Sequence, residues 1–218
     1  MLIKYCVLTT AHFHETRCRF VEKTWGNGKD ALFLTDAAGP DDRYIVVSDT
    51  HERVVFWQKI MNGLIYLCET YRQHDWFYLC DDDTYCFTHA IATFLKDKDC
   101  SKNVVYGEIR NSFAEDDTLY YPVGGGGRII SAEALRNMYH LLKKGMFKTF
   151  QWGDVTLGYI LKDSNIKMIN DDRFHSQTPA HYGFEINAEL LNQFSFHFIR
   201  DENQFLELYA VEQSEKKI

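Results

Sequence analysis

Asp81, Asp82 and Asp83 stand in a row at the end of an apolar run, Trp76-Phe77-Tyr78-Leu79-Cys80, with Thr84-Tyr85 after them. A run so dense in aromatic residues reads as a buried strand, and carboxylates cannot be buried at its end unless something positive meets them. A divalent cation answers that need. Oxygen ligands suit Mg²⁺ or Mn²⁺, which usually complete their shell with waters and substrate phosphates, so the place calls for a phosphate-bearing ligand. The carboxyl end of a strand is also where open α/β sheets put their ligands. The plainer alternative is an acidic surface turn or a Ca²⁺-stabilised loop. It sits badly with the flanking aromatics, because a solvated loop needs no Trp-Phe-Tyr-Leu leading into it.

Three further stretches bear on chemistry. Gly124 to Gly127 are four consecutive glycines, which lose much entropy on ordering and are tolerated where backbone passes very close to something. A flexible linker is the competing reading, weakened by the shortness of the run and its place between an aromatic strand and Arg128-Ile129-Ile130. Gln151-Trp152-Gly153-Asp154 leads into a helix through Leu161. Asp154 then falls in a first turn, where capping or dipole pairing accounts for an acid without any catalysis. Farther on, Phe194, Phe196 and Phe198 alternate with Ser195, His197 and Ile199; a strand of that period puts the aromatics on one face and His197 on the other.

The elements that must position these residues follow from periodicity. Leu2 to Leu8 is a first strand ending at Thr9-Thr10, and His12 to Trp25 has helical spacing stopped by Gly26-Asn27-Gly28. Ala31 to Asp36 and Tyr44 to Val47 are strands, and Phe56, Ile60, Leu64, Leu67 and Tyr71 recur along a helix that leads to the acidic strand. Thr88 is placed to cap a helix burying Ile91, Phe94 and Leu95. Val104 to Gly107 and Leu119 to Val123 are strands on either side of a polar excursion from Asn111 to Thr118. Ser131 caps a further helix, and Asn203 to Gln213 forms another. The alternation predicts an α/β fold, a sheet of mostly parallel strands flanked by helices with polar residues gathered at one edge.

With 218 residues, 45% of them hydrophobic, the chain can bury one sizeable core, so a single domain over 1–213 with a tail at 214–218 is expected. A net charge of −7 without any Lys/Arg cluster argues against nucleic acid. No run of about 18 apolar residues spells a membrane span. Met1 leads straight into Leu-Ile-Lys-Tyr-Cys-Val-Leu, with neither a basic start nor a cleavage site. As written the sequence reads as cytoplasmic, or as a Golgi or ER lumenal domain if it belongs to a type II membrane protein; a homo-oligomer is compatible with it. The cysteines Cys6, Cys18, Cys68, Cys80, Cys86 and Cys100 include no C-x-x-C pair, which disfavours a structural zinc site, and they read as mostly free thiols.

Taken together, these pieces resemble glycosyltransferase family 31, in the branch holding Fringe and the core-1 β1,3-galactosyltransferases. The matching stretches are Leu8-Thr9-Thr10 with His14, Arg17 and Thr24-Trp25-Gly26; Trp57-Gln58-Lys59; Asp75-Trp76-Phe77 leading to Asp81-Asp82-Asp83-Thr84-Tyr85; Gly124 to Gly127; Gly153-Asp154-Val155-Thr156-Leu157-Gly158; Phe174-His175-Ser176; and Ser195-Phe196-His197-Phe198. They run in family order along nearly the whole chain. The resemblance implies a GT-A fold, a Rossmann-like nucleotide-sugar-binding sheet with a nucleotide-binding half at 1–110 and an acceptor and metal half at 111–213. It implies a UDP-sugar donor of a hexose or N-acetylhexosamine, Mn²⁺ (or Mg²⁺), and inversion to leave a β linkage, usually to a sugar 3-hydroxyl. The acceptor would be a glycan, a glycoprotein or a lipid-linked sugar.

Carried over position by position, the resemblance makes Asp154 the catalytic base. It gives Asp81 and Asp83 to the ribose and metal, with His197 ahead of His175 to complete the metal shell. Thr9, Thr10, Arg17, Asp36, Lys59 and Asp82 fall where the nucleotide is held. On physical grounds the glycine run, at Gly125 and Gly126, would let backbone amides approach the donor sugar, and Trp152, beside the base, could stack on an acceptor sugar face. Two departures stand out. One carboxylate, Asp154, occupies the place of an acidic pair, and Gly126 and Arg128 stand where the family commonly has Ala and an aromatic or aliphatic residue. A metal-dependent phosphohydrolase and an inactive glycan-binding or chaperone-like relative are the rival readings. The second would have lost the Asp triplet or Asp154, and both are present.

Overall fold

The computed structural model describes residues 1–49, 56–111 and 118–214. A seven-stranded sheet runs through it, built from β1 (Ile3–Leu8), β2 (Ala31–Thr35), β3 (Tyr44–Val46), β4 (Trp76–Asp81), β6 (Val104–Gly107), β9 (Arg128–Ser131) and β10 (Lys167–Asn170) in the order β10-β6-β9-β4-β1-β2-β3. β9 runs antiparallel to both its neighbours and the other pairs are parallel. The central strands are covered on both faces, which is why β2 and β4 read as unbroken apolar runs rather than alternating ones. Successive β4 residues feed two cores: Trp76, Tyr78 and Cys80 join one, Phe77 and Leu79 the other.

Helices fill both layers. α2 (Phe56–Thr70), α4 (Ala132–Lys144) and α5 (Gly153–Asp163) pack Leu64, Leu135 and Leu157 into the core of Phe77. On the other face lie α1 (Arg19–Lys23), α3 (Thr88–Leu95) and α6 (Glu202–Ser214). With them is a small sheet of β5 (Tyr85–Cys86), β11 (Phe174–His175) and β12 (Ser195–Phe196), in the order β11-β12-β5. β7 (Ile109–Asn111) and β8 (Tyr120–Pro122) pair as a separate antiparallel ribbon. Because β1, β2 and β4 are parallel, with Leu8 level with both Leu34 and Asp81, Thr9, Asp36 and the Asp triplet emerge at one edge.

Several expectations need correction. His12 to Trp25 is not one helix: a 3₁₀ turn (Ala11–Phe13) and a π-turn (His14–Cys18) precede the short α1. The wider turn buries His14 and Cys18 while Arg17 reaches Asp82. Thr88 does not cap its helix; its hydroxyl donates to Glu212 at 3.1 Å instead. Glu212, 4% exposed, also accepts from the Tyr85 hydroxyl at 3.0 Å and the His89 amide at 3.3 Å. The strand expected through Ile199 stops at Phe196, because Phe198 adopts a left-handed backbone with φ of 59°. Phe198 thereby leaves the face of Phe194 and Phe196 and lies beside His197, ring centroids 4.0 Å apart. Ser131 does cap α4, accepting from the Ala134 amide at 3.0 Å. All of the expected tail except Ser214 lies outside the described residues, as does most of the 111–118 excursion. No helix among the described residues is long and apolar enough to cross a membrane.

Candidate active site and metal centre

The edge where β1 and β4 end opens into a cleft of two adjoining compartments. The first, about 270 Å³, is lined by Thr9, Thr10, Phe13, Arg17, Asp81, Asp82, Asp83, His197, Phe198 and Arg200, with Leu8 and Phe56. The second, about 300 Å³, is lined by Phe56, Asp81, Gln151, Trp152, Gly153 and Asp154. Asp81 and Phe56 belong to both, so the acidic triplet and Asp154 face a shared space. A larger hollow of about 480 Å³ lies between the end of α2 and α4, at the opposite edge of the sheet. Its lining holds arginines, histidines and aromatic rings but no carboxylate, so the acid-dependent chemistry belongs to the smaller cleft.

In the first compartment one ligand atom each from Asp81, Asp83 and His197 lies within 4.8 Å of the others. His197 Nε2 is 2.9 Å from Asp83 Oδ1 and 3.8 Å from Asp81 Oδ2. Two carboxylate oxygens and an imidazole nitrogen form a donor set that fits Mn²⁺ or Mg²⁺, with the cleft side open for other ligands. His175 is not in this group. Its ring is stacked on Phe196 at 4.4 Å and its Nε2 is engaged with Gln193 Oε1 at 2.8 Å, so the second histidine named from sequence is held in the core behind the site.

The charges tell the same story. Burial pushes the Asp81 carboxyl up to about 7, helped by the nearby Asp154 and Asp83 charges and opposed by His197 and Arg128. Burial also raises Asp82, against the bonds it accepts from Thr9 Oγ1 at 2.7 Å and Arg17 Nη1 at 2.9 Å. At Asp83 burial is outweighed by His197, Arg17 and Arg200, so its carboxyl stays below the usual range. Burial works against a charged His197, yet the Asp83 bond and the two acids raise its pKa. The site therefore concentrates negative charge that a cation relieves.

Each remaining sequence candidate has a place. Arg17 spans Asp82 and Asp83, 3.4 Å from the latter. Lys59 and Asp36 form a 3.1 Å ion pair beneath the cleft wall, with Lys59 Nζ on the Thr9 carbonyl at 2.6 Å and Asp36 on the Ala11 amide at 2.8 Å. Both are buried, so they act on the cleft by fixing the end of β1. The glycine run is a turn closed by the Gly127 amide on the Gly124 carbonyl at 2.8 Å. What it approaches is the protein: a Cβ on Gly125 would overlap the His197 ring, and one on Gly124 would stand 2.6 Å from Asp154 Oδ1. Gly126 offers its carbonyl to Ser195 Oγ.

Asp154 sits in the first turn of α5 but caps nothing, since Trp152 is the N-cap residue and no side chain caps there. Its Oδ2 accepts the Gly124 amide at 2.8 Å and its Oδ1 accepts from Arg128 at 3.0 Å. Trp152, 51% exposed, stands at the mouth with its ring 5.4 Å from Phe150, an open aromatic face beside the carboxylate. Sequence reasoning missed Arg200, Phe198 and Phe56 as wall residues. Arg200 lies only three residues beyond His197, but nothing in the local pattern shows that the backbone reverses at Phe198 and carries it to within 3.2 Å of Asp83.

A family model described as Fringe-like matches residues 2–214. The chain belongs to the Fringe-like family. Among solved structures, it is similar to a glycosyltransferase involved in glycosylation of the major capsid of PBCV-1, with a TM-score of 0.56, 12% identity and 100% of both chains covered. It is likewise similar to the galactosyltransferase LgtC, solved with donor and acceptor sugar analogues, at a TM-score of 0.50, 14% identity and 100% of each chain. The bifunctional glycosyltransferase WbbM matches at 0.57 and 10% identity over 99% of this chain and 51% of its own. The fold of this Fringe-like chain is that of the GT-A glycosyltransferases, and family and fold together support a glycosyltransferase.

Proposed function

We propose that the chain is a metal-dependent inverting glycosyltransferase that moves a hexose or N-acetylhexosamine from a UDP-sugar to an acceptor hydroxyl, forming a β1,3 linkage. The observation that carries this reading is the shared wall: Asp81 and Phe56 separate, and belong to, a compartment with the Asp81-Asp83-His197 group and one with Asp154 and Trp152. Donor and acceptor then meet over Asp81. Arg17 and Arg200 supply positive charge for the diphosphate, and Thr10 adds a polar contact at the wall. Asp81, Asp83 and His197 would hold Mn²⁺ or Mg²⁺, which when bound neutralises the charge gathering on the departing UDP. The acceptor, a glycan, a glycoprotein or a lipid-linked sugar, would stack a sugar face on Trp152. As its oxygen bonds to the anomeric carbon, its proton passes to the Asp154 carboxylate, and the electron pair of the breaking bond leaves with UDP. One base suffices for such a single displacement.

A panel of UDP-sugars with Mn²⁺ and candidate acceptors, read as UDP release and product, tests the reading. Asp154→Asn is expected to lower transfer by about 10²–10⁴-fold while UDP and Mn²⁺ binding stay near wild type. Equal loss of binding and transfer would make Asp154 structural. UDP-sugar cleavage indifferent to every acceptor would favour a phosphohydrolase instead.

A further inference from the structure

Arg128 opens β9 with its side chain fully buried. Its Nη1 donates to the Pro122 carbonyl at 3.1 Å and to Asp154 Oδ1 at 3.0 Å, while Nε and Nη2 have no hydrogen-bond partner. A buried guanidinium with idle donors is costly, and such an ion pair is weak evidence for stability, since replacing both partners by apolar groups is often neutral or stabilising. Stability alone is therefore a weak reason for an arginine here, which directs attention to what its one bonded nitrogen holds. Among the described residues its ion-pair partner is Asp154. Arg128 on one carboxylate oxygen and the Gly124 amide on the other hold Asp154 from both sides. Gly124 has no room for a Cβ, which would stand 2.6 Å from Asp154 Oδ1 and 3.3 Å from Arg128 Nη2.

We propose that Arg128 is a positioning residue that fixes the plane of the Asp154 carboxylate, leaving its remaining lone pairs aimed into the acceptor compartment. This rests on Asp154 being the proton acceptor, and the test separates the two ideas. In Arg128→Met, kcat for transfer is expected to fall by about 10- to 100-fold, the scale of a slight misplacement of a reacting group. The UDP-sugar KM should hold, and the melting temperature should fall, because Asp154 and the Pro122 carbonyl lose their partner. Arg128→Lys, which keeps the charge and is the variant of choice if Arg128→Met folds poorly, should recover part of kcat. Independently of activity, exchange of the Gly124 amide, followed by NMR, should quicken by at least about tenfold in Arg128→Met as its carboxylate partner loosens. Unchanged kcat, or unchanged Gly124 exchange, would overturn the proposal. If the wild-type protein transfers no sugar, the role of Asp154 falls, while Gly124 exchange still decides whether Arg128 holds that carboxylate.

Discussion

Gly125 lies against the imidazole of His197, so close that the smallest side chain would overlap the ring. Gly125→Ala must therefore displace either the glycine turn or His197. Overpacking of this kind typically costs about 1–3 kcal/mol, and here the moving part is a metal-ligand candidate. The variant is expected to fold with lowered urea resistance and to bind Mn²⁺ at least about tenfold more weakly, because the shell depends on placement. Wild-type Mn²⁺ affinity in Gly125→Ala would show that the glycine turn gives way and the His197 ring stays in place, whereas wild-type affinity in His197→Ala would show that His197 takes no part in the shell.

Mn²⁺ should stabilise the fold by mass action. At roughly 100 times its dissociation constant the gain is about 2.7 kcal/mol, which for a chain of this size is a rise in Tm of about 5–10 °C. EDTA should reverse the shift and Asp83→Asn should abolish it. An equal shift in the variant would place the ion elsewhere.

Thiol labelling should divide the cysteines into two groups. Cys6, Cys18, Cys80 and Cys86 are buried, and burial pushes each thiol up, that of Cys18 to about 12. Cys68 and Cys100 are partly exposed, although partial burial raises their thiols as well, so access is what separates the two groups. Since the thiolate is the reactive form, Ellman's reagent at pH 8 should modify Cys68 and Cys100 in the native protein and the buried four only on unfolding. Rapid native reaction of Cys80, mapped by mass spectrometry, would contradict the packing of β4.

His14 should make the fold acid-sensitive. Burial lowers its pKa, against the raising effects of Asp36 and Glu15 and with a smaller lowering by Lys59. Its Nε2 meets the Thr35 hydroxyl at 2.7 Å and its ring abuts Tyr44 at 4.7 Å. The unfolded chain thus takes up this proton at higher pH than the folded one. His14 costs nothing well above its unfolded value near 6.5 and lowers stability as pH drops through that value toward the folded one. Wild type should lose more unfolding free energy between pH 7.5 and 5.5 than His14→Gln. Parallel losses would show His14 to be indifferent to protonation.

The sheet and the acidic edge were legible because β1, β2 and β4 are buried on both faces and end in polar residues, a pattern that is local to each strand. Asp81, Asp83 and His197 could be named from motifs, and the fold brings them together. What could not be read were arrangements set by backbone turns with no pattern of their own. The left-handed Phe198 redirects Arg200 to Asp83, and the π-turn at His14–Cys18 breaks the helical period to aim Arg17. Arg128 was visible as an odd residue after the glycines, but its pairing with Asp154 spans 26 positions and depends on how β9 meets α5. Thr88 misled for a similar reason: its partner, Glu212, lies 124 residues away.

That distant partner has a bearing on biosynthesis. Glu212 pins Tyr85 across 127 positions, and Tyr85 stands two residues beyond Asp83. A nascent polypeptide emerging from the ribosome can build the inner strands of its sheet and the Thr9 and Arg17 contacts to the acids early, but the Glu212 bond to Tyr85 forms only when residue 212 is free of the exit tunnel. A chain stalled short of α6 would therefore carry the acids while Tyr85 and Thr88 behind them still lack their Glu212 partner.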